Sequence, residues 1–144
     1  MGNSLLLATL ATGLFAGAAL YVTLVEQPAR LECETKLAVT QWRPSYKRGA
    51  LLQAPLAVIA ALAGLWCWMG SAGTGWLVTG LAMAGIVLFT LVVIRPVNDR
   101  LADGRLDTGS AEALELLQRW GTLHAVRTVV ALAAFTVDLA MLLG

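Results

Sequence analysis

The sequence predicts an all-α protein, an integral membrane bundle of four helices, on three observations. The 144-residue chain is 58% hydrophobic and 13% charged, whereas an ordinary soluble domain carries roughly a quarter charged residues. Residues 5–25, 50–69, 76–94 and 123–143 meet or nearly meet the roughly 20 apolar helical residues that a hydrocarbon core about 30 Å thick requires. The ten Lys and Arg residues fall in two windows, Arg30 to Arg48 and Arg95 to Arg127, set apart by long apolar stretches. One domain is expected over residues 1–144.

Taken in order, the first segment reads as a spanning helix. No Lys or Arg precedes it, and it is long for a cleaved leader despite the small residues Ala16, Gly17 and Ala18. Leu6 stands where an N-myristoylation signal needs Ser or Thr. Gly13 and Gly17 are spaced for close helix packing, as are Gly80 and Ala84 on the third segment. Pro28 suits a helix start, and residues 29–41 put Arg30 with Glu34 and Glu32 with Lys36 at ion-pair spacing, which predicts a short interfacial helix. Trp42 and Tyr46 flank Pro44 among basic residues, a composition suited to headgroups. Pro55 lies early in the second segment, where a missing amide is tolerated, and Gln53 beside it is expected to face the bundle. Pro96 is expected to end the third segment. Ser110 is a good N-cap, with Glu112 and Glu115 near the positive end of a long fourth helix over about residues 111–143.

Orientation follows from charge. Lys and Arg are retained on the cytoplasmic side, so residues 26–49 and 95–122 are expected in the cytoplasm, with both termini and the Gly/Ser hairpin at 70–75 outside an inner or plasma membrane. Cys33 and Cys67 then lie at opposite faces and do not bridge within one chain.

The residues richest in chemistry cluster near the charged end. Trp120, His124 and Arg127, spaced by four and three, share one helical face. His124 is the single histidine, and its ordinary pKa near 6.5 suits it to proton transfer. The bland alternative has Arg127 snorkelling to headgroups, Trp120 in the interfacial belt and His124 as a satisfied polar residue between helices. Glu26, Tyr46, Asn98 and Arg100 lie near the same boundary, which makes a pocket at the inner mouth geometrically reasonable; Glu26 equally reads as a solvated helix end and Asn98 as an Asx turn after Pro96. Asp138 is the one charge toward the outer half, expected to reach the outer interface or to bond Asn3 or Ser4.

Several site classes are missing from the sequence. One histidine and two distant cysteines make no closed zinc site, iron–sulfur set or bis-histidine heme in one chain. There is no phosphate loop and no dinucleotide fingerprint, and the basic loops are balanced by acids and explained by topology, so nucleic acid is not an expected partner.

The runs Gly13 to Gly17, Tyr21 to Arg30, Gln41 to Tyr46, Arg95 to Leu101 and Arg119 to Arg127 resemble the anthrone oxygenase-like family of small four-helix membrane proteins. The resemblance implies oxidation of an anthrone to an anthraquinone by dioxygen without metal or flavin. It makes His124 the base and Glu26 a helper, Arg127 and Asn98 the donors to the enolate oxygen, and Trp120 and Trp42 the stacking partners of a polycyclic substrate. Tyr46 and Arg100 complete the expected substrate surface. Members of the family commonly carry His where this chain has Gln27, which removes one potential base or ligand. The expected partners are a lipophilic small molecule, dioxygen and the lipid bilayer, with a homo-oligomer allowed. No cofactor is expected. Two alternatives stay open: a protein binding heme or another redox group through His124, and a noncatalytic membrane subunit or small transporter.

Overall fold

A computed structural model describes residues 2–144. The described residues form four long helices and no strand: α1 (Gly2–Leu31), α2 (Thr35–Met69), α3 (Thr74–Ala102) and α4 (Ala111–Leu143). All four are long and apolar enough to cross a bilayer. Each helix packs chiefly on its neighbours in sequence, and α4 closes the ring against α1, so the bundle runs up-down-up-down. One end carries the hairpin between α2 and α3, where Ser71 and Gly73 have positive φ of 63° and 114°. The left-handed geometry at Gly73 favours glycine. The other end carries both charged connections.

The expected helices are present, but their ends differ from the sequence reading because two prolines do not break them. α1 widens into a π turn over Val22–Glu26, with the Gln27 amide bonding back to the Val22 carbonyl, and the helix then runs through Pro28 to Leu31. α3 repeats the device: a π turn over Thr90–Ile94, the Arg95 amide bonding to the Thr90 carbonyl, then Pro96 and helix to Ala102. A proline clashes with the carbonyl four residues back and leaves it without a donor; a widened turn just before the ring relieves both problems. Pro96 therefore does not end α3.

A separate interfacial helix over residues 29–41 is also absent. The chain breaks only at Glu32 to Glu34, and α2 continues as one helix through Pro44 and Pro55. The start of α2 is held by tertiary contacts that outweigh the lost amide. Trp42 is fully buried, and Arg43 donates to the Leu101 and Asp103 carbonyls at 3.1 and 2.9 Å, capping the end of α3. With the break inside the expected ion pairs, Arg30 bonds Glu26 rather than Glu34. Ser110 does cap α4, accepting from the Ala113 amide at 3.2 Å. In the connection before it, hydrogen bonds from the Arg105 side chain and amide hold the Asp103 carboxyl below its ordinary range.

Three layers of packing fill the bundle. Cys67, Trp76, Ala8 and Ala63 lie under the hairpin. A middle layer is rich in alanine, with Phe15, Met83 and Ile86. At the charged end the core holds Trp42, Ile94, Leu101, Leu117 and Trp120. Gly64 and Gly80 let α2 and α3 touch: a Cβ on Gly80 would lie 2.9 Å from the Leu65 amide nitrogen. Gly13 abuts Phe135 of α4, whereas Gly17 meets nothing within 4 Å and makes no close contact. Asp138 is buried, 1% exposed, instead of reaching an interface.

Candidate functional site

Between the middle layer and the aromatic layer lies a cavity of about 670 Å³. Small residues on α2, namely Gly49, Ala50, Ala54 and Ala57, border it, and Phe15, Ile86 and Val87 supply an apolar upper wall. The polar groups on its wall, among them Glu26, Gln53, Asn98, His124 and Arg127, come from all four helices.

The face expected on α4 is present. Trp120, His124 and Arg127 all line the cavity, with the Trp120 and His124 rings 4.9 Å apart. Trp120 donates from Nε1 to Asn98 Oδ1 at 2.9 Å, which fixes the indole and spends that Asn98 oxygen inside the bundle, not in an Asx turn. Beneath them Trp42 is fully buried, stacked on Tyr46 at 4.8 Å and edge-on to Trp120 at 5.9 Å. Tyr46 reaches the cavity wall, but Trp42 does not; it supports the floor from behind. Arg100 lies away from the site, bonded to Glu112 at 2.7 Å and to Asp103 at 3.4 Å.

The threonines that orient His124 escaped the sequence reading. Thr23 Oγ1 lies 3.2 Å from His124 Nδ1 and 2.7 Å from Thr128 Oγ1. Thr128 in turn has the Ala19 and His124 carbonyls each at 3.2 Å. If Thr128 donates to a carbonyl, Thr23 donates to Thr128 and Nδ1–H donates to Thr23, making three hydrogen bonds. The reverse polarity makes two, because Thr128 then gives its only hydrogen to Thr23. The fuller network favours the Nδ1–H tautomer, an assignment from bonding rather than from observed hydrogens. Nε2, which has no hydrogen-bond partner among the described residues, is then the basic nitrogen.

Glu26 is not a solvated helix end. One carboxylate oxygen accepts from Ser45, from Arg30 at 2.7 Å and from Gln41 at 3.0 Å. Arg30, 4% exposed, also donates to Gln41 and Gln27 and sits 5.6 Å above the Trp120 ring. The signal for this pair was present in the sequence, since Glu26 and Arg30 are spaced four apart. Arg127 donates to Gln53 Oε1 at 2.8 Å and lies 5.3 Å over the Phe15 ring, while its Nε is buried without a partner.

Placed side by side, a basic imidazole, a guanidinium and aromatic walls form a site able to take a proton from an apolar molecule and hold the resulting oxyanion. The family model for anthrone oxygenase matches residues 42–137. The chain belongs to this family. The part that matches the anthrone oxygenase model runs from Trp42 in α2 into α4 and contains Gln53, Asn98, Trp120, His124 and Arg127, whereas Thr23, Glu26 and Arg30 on α1 precede it. No curated protein and no solved structure matches the chain. Gln27 does not line the cavity. Its amide donates to the Leu117 carbonyl at 2.8 Å and its oxygen accepts from Arg30.

Proposed function

We propose that the protein is a membrane oxygenase that uses dioxygen to oxidise a lipophilic, anthrone-type aromatic in this cavity. The observation that carries the reading is His124, oriented through Nδ1 by Thr23 and lining an otherwise largely apolar chamber beside Arg127. The methylene between two aromatic rings is acidic. His124 Nε2 takes its proton as the C–H bond breaks, and the charge passes to the carbonyl oxygen, where Arg127 and the Asn98 side-chain amide donate to it. The carbanion then gives one electron to dioxygen, and the radical and superoxide combine into a C–O bond. Loss of the second methylene hydrogen with cleavage of the O–O bond yields the quinone carbonyl and one water, so one dioxygen oxidises one methylene to one carbonyl. In this reading dioxygen is the sole oxidant. Trp120 and Tyr46 contact the polycycle and keep water from the carbanion.

The charged end is cytoplasmic in this proposal, since it holds every Lys and Arg, and substrate enters from the inner leaflet. The test is dioxygen uptake and quinone absorbance with a trial anthrone, using protein in nanodiscs. His124→Gln is expected to lower the rate about 100-fold to 10,000-fold, the range for loss of a general base, with the melting temperature little changed. A rate within a factor of about two of the parent removes His124 as the base. A stoichiometric heme band in the purified protein would replace the proposal by a ligand role for His124.

A further inference from the structure

Arg127 is a cation inside the bundle without an anion. Every ion pair among the described residues uses another arginine: Arg30 with Glu26, Arg95 with Asp99, Arg100 with Asp103 and Glu112, and Arg105 with Asp103. The partners of Arg127 are a neutral amide oxygen and an aromatic face, and its Nε has none. The one carboxylate on the cavity wall, Glu26, is already engaged by Arg30, Ser45 and Gln41. A buried charge is ordinarily paired, because losing water costs more than neutral hydrogen bonds return.

We propose that the missing anion is the substrate itself: the site binds a planar aromatic enol or phenol as its oxyanion, paired to Arg127, before dioxygen reacts. This rests on the aromatic-oxygenase reading and deepens it. The enol form of an anthrone-type ketone and the ketone's methylene lose a proton to give the same anion, so pairing with Arg127 stores the reactive species in the ground state. Oxidation turns that charged oxygen into a neutral carbonyl. The ion pair vanishes and product returns to the lipid, so the same guanidinium that selects substrate rejects product. A planar guanidinium suits this task better than an ammonium because it offers two parallel N–H groups to one oxyanion. The cavity's other ionisable groups are His124 on α4, the paired Glu26 and the exposed Tyr21 on α1, and Tyr46 and the exposed Arg48 on α2; α3 contributes none.

The probe is 2-hydroxyanthraquinone, which does not react with dioxygen and whose phenol and phenolate differ in visible absorption. Its ionisation is followed by pH titration in phosphatidylcholine nanodiscs with and without the protein, and its binding by quenching of tryptophan fluorescence. Bound to the parent protein, the dye is expected to ionise at a pH at least about one unit lower than in empty nanodiscs, an equilibrium shift of about tenfold. Its methyl ether is expected to bind at least about tenfold more weakly, a comparison that needs no variant. Arg127→Gln is expected to abolish both effects, and Arg127→Lys to keep part of the shift. A dye that binds with unshifted ionisation, and no more tightly than its ether, overturns the ion-pair proposal and leaves the aromatic site standing. Absence of any binding overturns both. A long-chain fatty acid that displaces the dye with at least equal affinity overturns the aromatic part, since the anion recognised would then be a carboxylate.

Discussion

At the hairpin end α2 and α3 run backbone against backbone, with Gly64 and Gly80 so close that an added Cβ would enter the facing chain. Toward the charged end the same two helices border a cavity of about 670 Å³, although α2 is there lined by residues nearly as small. Side-chain size is therefore not what distinguishes the two regions. In the inner region the floor of Trp42, Tyr46 and Trp120 fills the space beneath the cavity and props the helices apart, and the π turns of α1 and α3 lie beside it. In the outer region a single buried tryptophan, Trp76, packs among Ala8, Ala63 and Cys67, and α2 and α3 stay in contact. The closed half stabilises a bundle whose open half holds the cavity.

The largest expected effect comes from forcing open the closed half. Gly80→Val places side-chain atoms against the Leu65 backbone, which no rotamer change relieves, and overpacking of this kind costs about 3 kcal/mol. Ala54→Val adds similar bulk beside the cavity and is expected to cost under about 1 kcal/mol, because the space is already there. Thermal unfolding in detergent compares the two, and equal losses would mean that the halves do not differ in packing.

Asp138 is the exception in the closed half. Thr12 and Thr79 flank it on facing helices, but each gives its hydroxyl hydrogen to its own helix, to the Ala8 carbonyl at 2.9 Å and the Trp76 carbonyl at 3.3 Å. Both hydroxyls also stand within reach of the carboxyl, but neither carboxylate oxygen receives a well-formed hydrogen bond. Replacing a buried polar group so weakly bonded by an apolar one is favourable, so Asp138→Val is expected to raise stability by about 2 kcal/mol, read from the melting temperature. A fall of that size instead would reveal a partner for the carboxylate.

In the open half the orientation of His124 contributes beyond its presence alone. Thr23→Val removes the hydroxyl at Nδ1 and leaves the imidazole free to take either tautomer. The expected loss in oxidation rate is about tenfold, smaller than that from removing the base, with stability nearly unchanged. A parent-like rate would separate the threonine network from the chemistry.

The four spans and the Trp120, His124 and Arg127 face were legible because hydropathy and a spacing of four and three are properties of single helices. The continuous path through Pro28, Pro96 and Pro44 was not, since a π turn or a proline inside a helix is held by packing from other helices. Thr23 and Thr128 were invisible for a related reason. Threonine hydroxyls in spanning helices usually bond back to their own helix, as Thr9, Thr12 and Thr90 do, and only the pairing of α1 with α4 singles these two out. Arg30 read as a topology signal while acting as the hub of a buried network.

The smallest expected effect tests whether Gln27 marks altered chemistry. Its amide nitrogen donates to the Leu117 carbonyl and its oxygen accepts from Arg30, so the position calls for one donor and one acceptor. A neutral histidine offers the same pair on its two ring nitrogens. Gln27 also packs against Gly121, where a Cβ would lie 2.9 Å from Nε2, and this contact leaves little depth behind the side chain. Gln27→His is therefore expected to keep the melting temperature within about 1 kcal/mol of stability and the oxidation rate within about twofold, because volume-similar exchanges that preserve bonding cost little. A gain of tenfold or more with the trial anthrone would move position 27 from the bundle seam into the reaction, and would make the open half a two-base site.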